Sequence, residues 1–357
     1  MKKFKSFITE AKIKAEDYEA AIVMGFYELT DRPITSDPEN FGISKKVFDA
    51  INNTPQAKEA GVKIAESLLR EYPSLKSKNA EQYGRAKASL TPFWSSFGAK
   101  DITPKTDILI GDMRISLKIG LAQLMSGGKS ESTATFEAAV LKSQPSLKTS
   151  PQYKRVVNVM EGFVKNTLAP GQLRPIIKAG NNPVVNAAEA AHKSAMKELS
   201  AMFEQSESFK IEFAREAMSG FSKFGEKSNA AAEFMLVASP DGNRVAIHSV
   251  YDDKYCTKIA NAMQLSARFK SASRKIKGKK TGEYNFWSVI GLIVDSMQES
   301  NQESGEELNE VNILKKVKSW VSKTWNNAHR FFTGGIKKLT NFLGAEPELK
   351  HKNKIEF

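Results

Sequence analysis

Residues 106–132, TDILIGDMRISLKIGLAQLMSGGKSES, set two short apolar stretches on either side of Gly111-Asp112. A glycine-containing pair between such stretches is a hairpin signal, because a tight turn needs positive φ and glycine adopts it without strain. The pattern predicts two antiparallel strands joined through IGDM, then a helix after the break at Gly127 and Gly128. Alternate residues of a strand share a face, so Arg114, Ser116 and Lys118 should lie together while Ile115 and Leu117 enter the core. Asp107, nine residues before Ser116, comes alongside them through the turn. A carboxylate and an ammonium placed there are either an ordinary exposed pair, worth about 0–1 kcal/mol, or part of a site.

The remaining pattern bounds what the hairpin belongs to. A chain of 357 residues with 41% hydrophobic and 26% charged residues reads as soluble and globular, with two domains or one domain and appendages. The lone Cys256 excludes an internal disulfide, and His192, His248, His329 and His351 have no zinc-type spacing. The longest apolar run, Phe286 to Val294, is about half of what spans a bilayer. Helical spacing is read over 14–29, 56–72, 80–97 with an interruption at Pro92, 130–143, 151–168 and 182–205. EFMLVAS, PDGN and RVAIHSV, from 233 to 250, read as a second hairpin, and the segment that follows as a further strand or a helix. The expected class is mixed α/β, with few strands, many helices and a helical C-terminal tail. Residues 11–298 would form the body, the acidic 299–310 a linker, and 311–357 a basic amphipathic tail.

With PKTD from Pro104 to Asp107 and SLK from Ser116 to Lys118, the hairpin resembles the PD-(D/E)XK nuclease superfamily, over about 30 residues. The resemblance implies a restriction-endonuclease-like core and Mg2+-dependent phosphodiester hydrolysis of DNA. Asp107 would be a metal ligand, and Lys118 the group that orients or activates the attacking water. Ser116 stands where the family has its second acid, and serine lacks the charge a hard cation prefers. Some members with Ser-x-Lys take that acid from the following helix, which implies Glu131, thirteen residues after Lys118, with Glu137 as the alternative. Glu81, on the predicted helix before the hairpin, is a possible extra ligand, and Gln123, Ser116 and Arg114 are candidates for polar or phosphate contacts.

The net charge of +13 is uneven: residues 1–10 carry +2 and 311–357 carry +7, leaving +4 for the body. Within the body, ARFKSASRKIKGKK gathers Arg268, Lys270, Arg274, Lys275, Lys277, Lys279 and Lys280 without an acid, which reads as a nucleic-acid contact or a solvated basic loop. The N-terminus, MKKFKSFITEA, is similar to the capsid-targeting peptide on internal head proteins of large contractile-tailed bacteriophages. That similarity implies cutting by a prohead protease between Glu10 and Ala11, with a further match at Glu310 and Val311, and residence in the capsid interior of the virion. The alternative is an ordinary amphipathic first helix. Two functional classes follow: a phage-encoded nuclease, packaged in the head or acting in the host cytoplasm, and a non-catalytic internal head protein that binds DNA. In the tail, Ile313, Leu314, Val317, Trp320, Val321 and Trp325 form an apolar stripe among lysines. It would pack on the body, meet a membrane, or dock on a partner protein. Limited proteolysis is expected to clip the chain near Glu310 and leave a folded body; recovery of only full-length protein, under conditions that degrade an unfolded control, would show the linker reading wrong.

Overall fold

The computed structural model describes residues 13–84, 86–120, 122–125, 129–165, 190, 194, 197–262, 264–276 and 279–291, the last two stretches by their backbone. The N-terminal peptide with Glu10 and Ala11, Lys277, much of the predicted 182–205 helix, the linker, and the tail with Val311 lie outside the described residues.

The order of elements is α1 (Ala15–Leu29), α2 (Lys45–Asn52), α3 (Pro55–Glu71), β1 (Ala80–Gln82), α4 (Pro92–Ser95), β2 (Ile108–Ile110), β3 (Met113–Ile119), β4 (Ala122–Met125), α5 (Lys129–Ser143) and α6 (Pro151–Lys165). After them come α7 (Glu207–Ser219), α8 (Phe221–Phe224), β5 (Phe234–Ala238), β6 (Val245–Ser249), α9 (Asp253–Ala262), β7 (Gln264–Ile276) and β8 (Lys279–Gly291). The class is mixed α/β, as the pattern implied. One sheet runs β1-β2-β3-β5-β6, antiparallel except where β5 lies parallel to β3; the other runs β4-β8-β7. Both predicted hairpins form, with Ile110 opposite Met113 and Ala238 opposite Val245.

The 80–97 helix does not form. Its first residues are the edge strand β1, paired through Ala80 with Ile110 and Gln82 with Ile108. Pro92 starts a helix instead of interrupting one: it occupies the first turn of α4, where its missing N–H costs nothing, and Thr91 Oγ1 accepts from Trp94 N at 3.2 Å as the cap. The segment after 250 supplies a helix and then a strand, and the basic stretch is no loop: it supplies most of β7 and the first two residues of β8.

Helices cover both faces of the larger sheet, so its central strands are largely buried. Ile108, Ile110, Ile115, Leu117, Leu236 and Ala238 pack against α1, α2 and α3. Met235 and Val237 pack on the opposite side with residues of α5, α7 and α9. Helix α1 is buried without interruption from Tyr18 to Tyr27. It approaches α3 to backbone contact because two glycines meet the crossing: a Cβ on Gly25 would lie 2.8 Å from Val62 Cα, and one on Gly61 2.4 Å from the Ala21 carbonyl. Two hydroxyls then tie α1 to the sheet. Tyr27 donates to Ala80 O at 3.1 Å and accepts from Ala80 N at 2.9 Å, while Tyr18 donates to Pro240 O at 3.0 Å. Gly61→Ala forces a methyl into the Ala21 backbone and is expected to destabilise the protein by about 1–3 kcal/mol or more, read as a lower urea midpoint; an unchanged midpoint would show that α1 and α3 can separate without loss.

Candidate active site

Asp107 immediately precedes β2, and its peptide group is held by both neighbouring strands. Its N–H donates to Ile115 O at 2.8 Å, and its carbonyl accepts from Tyr83 N at 2.9 Å and Gly84 N at 3.1 Å. Its carboxylate divides its work. Oδ2 accepts from Leu117 N at 2.7 Å, from Ser116 Oγ at 3.1 Å and from Lys118 Nζ at 3.5 Å. Lys118 Nζ also donates to Ser116 Oγ at 2.7 Å and Leu117 O at 2.9 Å. The hairpin thus brings Asp107, Ser116 and Lys118 together, as their spacing implied.

Oδ1 faces a residue that the sequence reading missed. An ideal Cβ on Gly84 would lie 3.1 Å from Glu19 Oε2 and 3.6 Å from Asp107 Oδ1, so both carboxylates reach the space above that bare Cα. Glu19 projects from α1, is only 9% exposed, and accepts from Gln82 Nε2 at 2.9 Å. Burial first, and the Asp107 carboxylate second, push its carboxyl from 4.5 up to about 7. A signal was present in the sequence: Glu19 is the only charged residue in the otherwise uncharged run Tyr18 to Tyr27.

Two of the other predicted ligands, Glu131 and Glu137, pair elsewhere. Glu131 pairs with Lys223 Nζ at 3.3 Å, and that nearly buried ammonium also meets Asp101 at 3.4 Å. Glu137 accepts from Tyr153 Oη at 2.5 Å and pairs with Lys148 at 3.0 Å. Glu81 is half-buried and alternates with Gln82, and it is Gln82 that reaches Glu19. Arg114 is committed internally, at 2.5 Å to Glu233 and 2.6 Å to Ser228 O, which corrects its reading as a phosphate contact: the face of β3 that carries it is buried, so the guanidinium needs partners there. Gln123 lies on β4, and its side chain is outside the described residues. Arg268, Lys270, Arg274 and Lys275 lie on β7, and Lys279 and Lys280 on β8.

A second cation, half-buried and also unanticipated, braces the site. Lys105 Nζ donates to Leu124 O at 2.8 Å and Ala217 O at 2.6 Å, joining β4 and α7 to the segment that leads into Asp107. Burial first, then the charges of Lys223 and Lys118, draw its ammonium down to about 8.

Among the described residues no three His, Cys, Asp or Glu side chains gather as a metal-holding group. The carboxylates that face each other are two, Glu19 and Asp107. Because the carboxyl of Glu19 is raised in the fold, the folded chain holds a proton that the unfolded chain releases, so its contribution weakens as pH rises from about 4.5 through 7. Between pH 5 and pH 8, wild type is expected to lose roughly 1–3 kcal/mol relative to Glu19→Gln in urea denaturation; parallel pH profiles would show that the carboxyl is not raised.

No family model, curated protein or solved structure matches the chain, so the reading of this site rests on its own residues and geometry.

Proposed function

We propose that the chain is a Mg2+-dependent phosphodiesterase acting on DNA, built on a restriction-endonuclease-like core. The observation that carries this reading is the division of the Asp107 carboxylate. One oxygen is tied to β3 and Lys118, and the other reaches the same space as Glu19. The donor set suits a hard cation, which takes carboxylate and carbonyl oxygens. The space above Gly84, which a Cβ would fill, gives such an ion a place beside both acids. On this reading the acid absent at Ser116 is supplied by Glu19 from α1, and not by Glu131, whose Oε2 pairs with Lys223.

Bound there, Mg2+ would polarise a phosphoryl oxygen and lower the pKa of water. Glu19 and Asp107 would hold it. Lys118 would orient the attacking water and offset the negative charge that develops on phosphorus. Its three N–H groups go to Ser116 Oγ, Leu117 O and Asp107 Oδ2. The last contact, at 3.5 Å, is the weakest, so that N–H is the one free to turn to a phosphoryl oxygen. Ser116 fixes the lysine by accepting from it while donating to Asp107.

The ribbon supports DNA as the substrate. Lys275 pairs with Lys280 and Ile276 with Lys279 near its tip. Lys275 and Lys280 belong to a run of seven Lys or Arg without an acid, a composition that suits a polyanion.

A second reading, a DNA-binding internal head protein without catalysis, is favoured by one observation: Ser116 leaves β3 without an acid at that position. In that case the N-terminal peptide would be removed at Glu10 and the mature chain would stay with packaged DNA. A nicking assay on supercoiled DNA separates the two. Wild type with Mg2+ is expected to cut, Lys118→Ala to lose cleavage by at least about 100-fold while retaining metal, and Asp107→Ala to lose both. Equal cleavage by wild type and Asp107→Ala would refute the nuclease reading, and undiminished DNA binding without any cleavage would favour the head protein.

A further inference from the structure

We propose that Gln82 supplies, through Oε1, the third protein oxygen for the divalent cation held by Glu19 and Asp107. The proposal rests on the cation-site reading above. Gln82 is 2% exposed at the end of β1. Its Nε2 donates to Glu16 O at 3.0 Å and to Glu19 Oε2 at 2.9 Å. Both neighbours are acceptors, so the amide nitrogen must face them; the reversed amide would set oxygen against oxygen. Oε1 is then a buried acceptor with no partner. Buried acceptors are rarely left so, and each one calls for a water, an ion or another explanation.

An ion accounts for more than a water does. Among the described residues no Lys or Arg lies within ion-pair distance of Glu19, although Glu19 is buried and the Asp107 carboxylate reaches the same space over Gly84. The site is therefore short of positive charge and has one spare oxygen donor on the amide that touches Glu19. A divalent cation corrects both shortages. Two carboxylates and a neutral amide also keep the negative charge of the site lower than three carboxylates would, which matters where Lys118 pairs with Asp107 and not with Glu19. The ligand set would then have moved from β3, where Ser116 stands, to α1 and β1.

The test is Mn2+ binding to the full-length protein without DNA, followed by electron paramagnetic resonance, with folding of each variant checked by circular dichroism. Gln82→Met removes both the oxygen and the N–H groups, and is expected to weaken Mn2+ at least about tenfold. Gln82→Glu loses the same amide N–H groups but keeps an oxygen and adds charge, so it is expected to bind as tightly as wild type or more tightly. If Gln82→Met binds like wild type, or if Gln82→Glu is as weak as Gln82→Met, the proposal is overturned and Gln82 only positions Glu19. Should Gln82→Met fail to fold, Gln82→Glu decides alone: retained or tighter binding supports the proposal and tenfold weaker binding overturns it. Failure of the underlying cation site looks different, since wild type would then bind no Mn2+, or Asp107→Asn would bind like wild type.

Discussion

Three strands of the larger sheet, β1, β2 and β3, meet at Asp107, and the way this residue is satisfied sets the local geometry. Its peptide N–H joins it to β3, its carbonyl closes the end of β1, and its Oδ2 takes the Leu117 amide that would otherwise be left open. A buried amide without a partner costs about 1–3 kcal/mol, so the carboxylate is a structural acceptor before it is a chemical group. That duty occupies one oxygen only. The other reaches the space it shares with Glu19, and because the first is fixed on three donors, the second is held in place without help from a ligand.

The site also depends on how closely α1 can approach. Gly25 and Gly61 remove two side chains from the crossing with α3, and the helix settles over the sheet with Tyr27 on β1 and Tyr18 on the β5–β6 turn. Those contacts fix the depth at which Glu19 enters the interior. Desolvation there is unfavourable to its charged form, and Gln82 offsets only part of that with one hydrogen bond. A carboxylate kept in such a position, beside another, is the feature on which the proposed metal-binding reading draws.

On the other face of the sheet, buried polar groups do different work. Lys223 is almost wholly enclosed, so Asp101 and Glu131 are needed as its counter-charges. Glu216 accepts from Ser222 N and meets Lys142. Lys105 spends its donors on two backbone carbonyls and is adjacent in charge to Lys118. This network holds α5, α7 and α8 to the segment that carries Asp107, and it engages Glu131, the acid that the nuclease resemblance implied as a metal ligand.

What the sequence determined by itself is local. Period-two alternation around Gly111-Asp112 was enough to define the hairpin, to bury Ile115 and Leu117 on one face, and to bring Asp107, Ser116 and Lys118 to one end, because strand pairing through a tight turn leaves little freedom of register. The same reasoning found the α1 and α3 helices and the hairpin after 233. Tertiary structure decided which acid lies beside Asp107. Glu131 has the right spacing from Lys118, but the docking of α8 gives it Lys223; Glu19 lies 88 residues before Asp107, and only the glycine crossing brings it there. It also decided that Ala80–Gln82 is a strand, since so short a stretch acquires its form from pairing with β2 and from Tyr27. Periodicity tells which residues of one element share a face, whereas the choice of the opposing element depends on shape and buried charge contributed by residues far away in the chain.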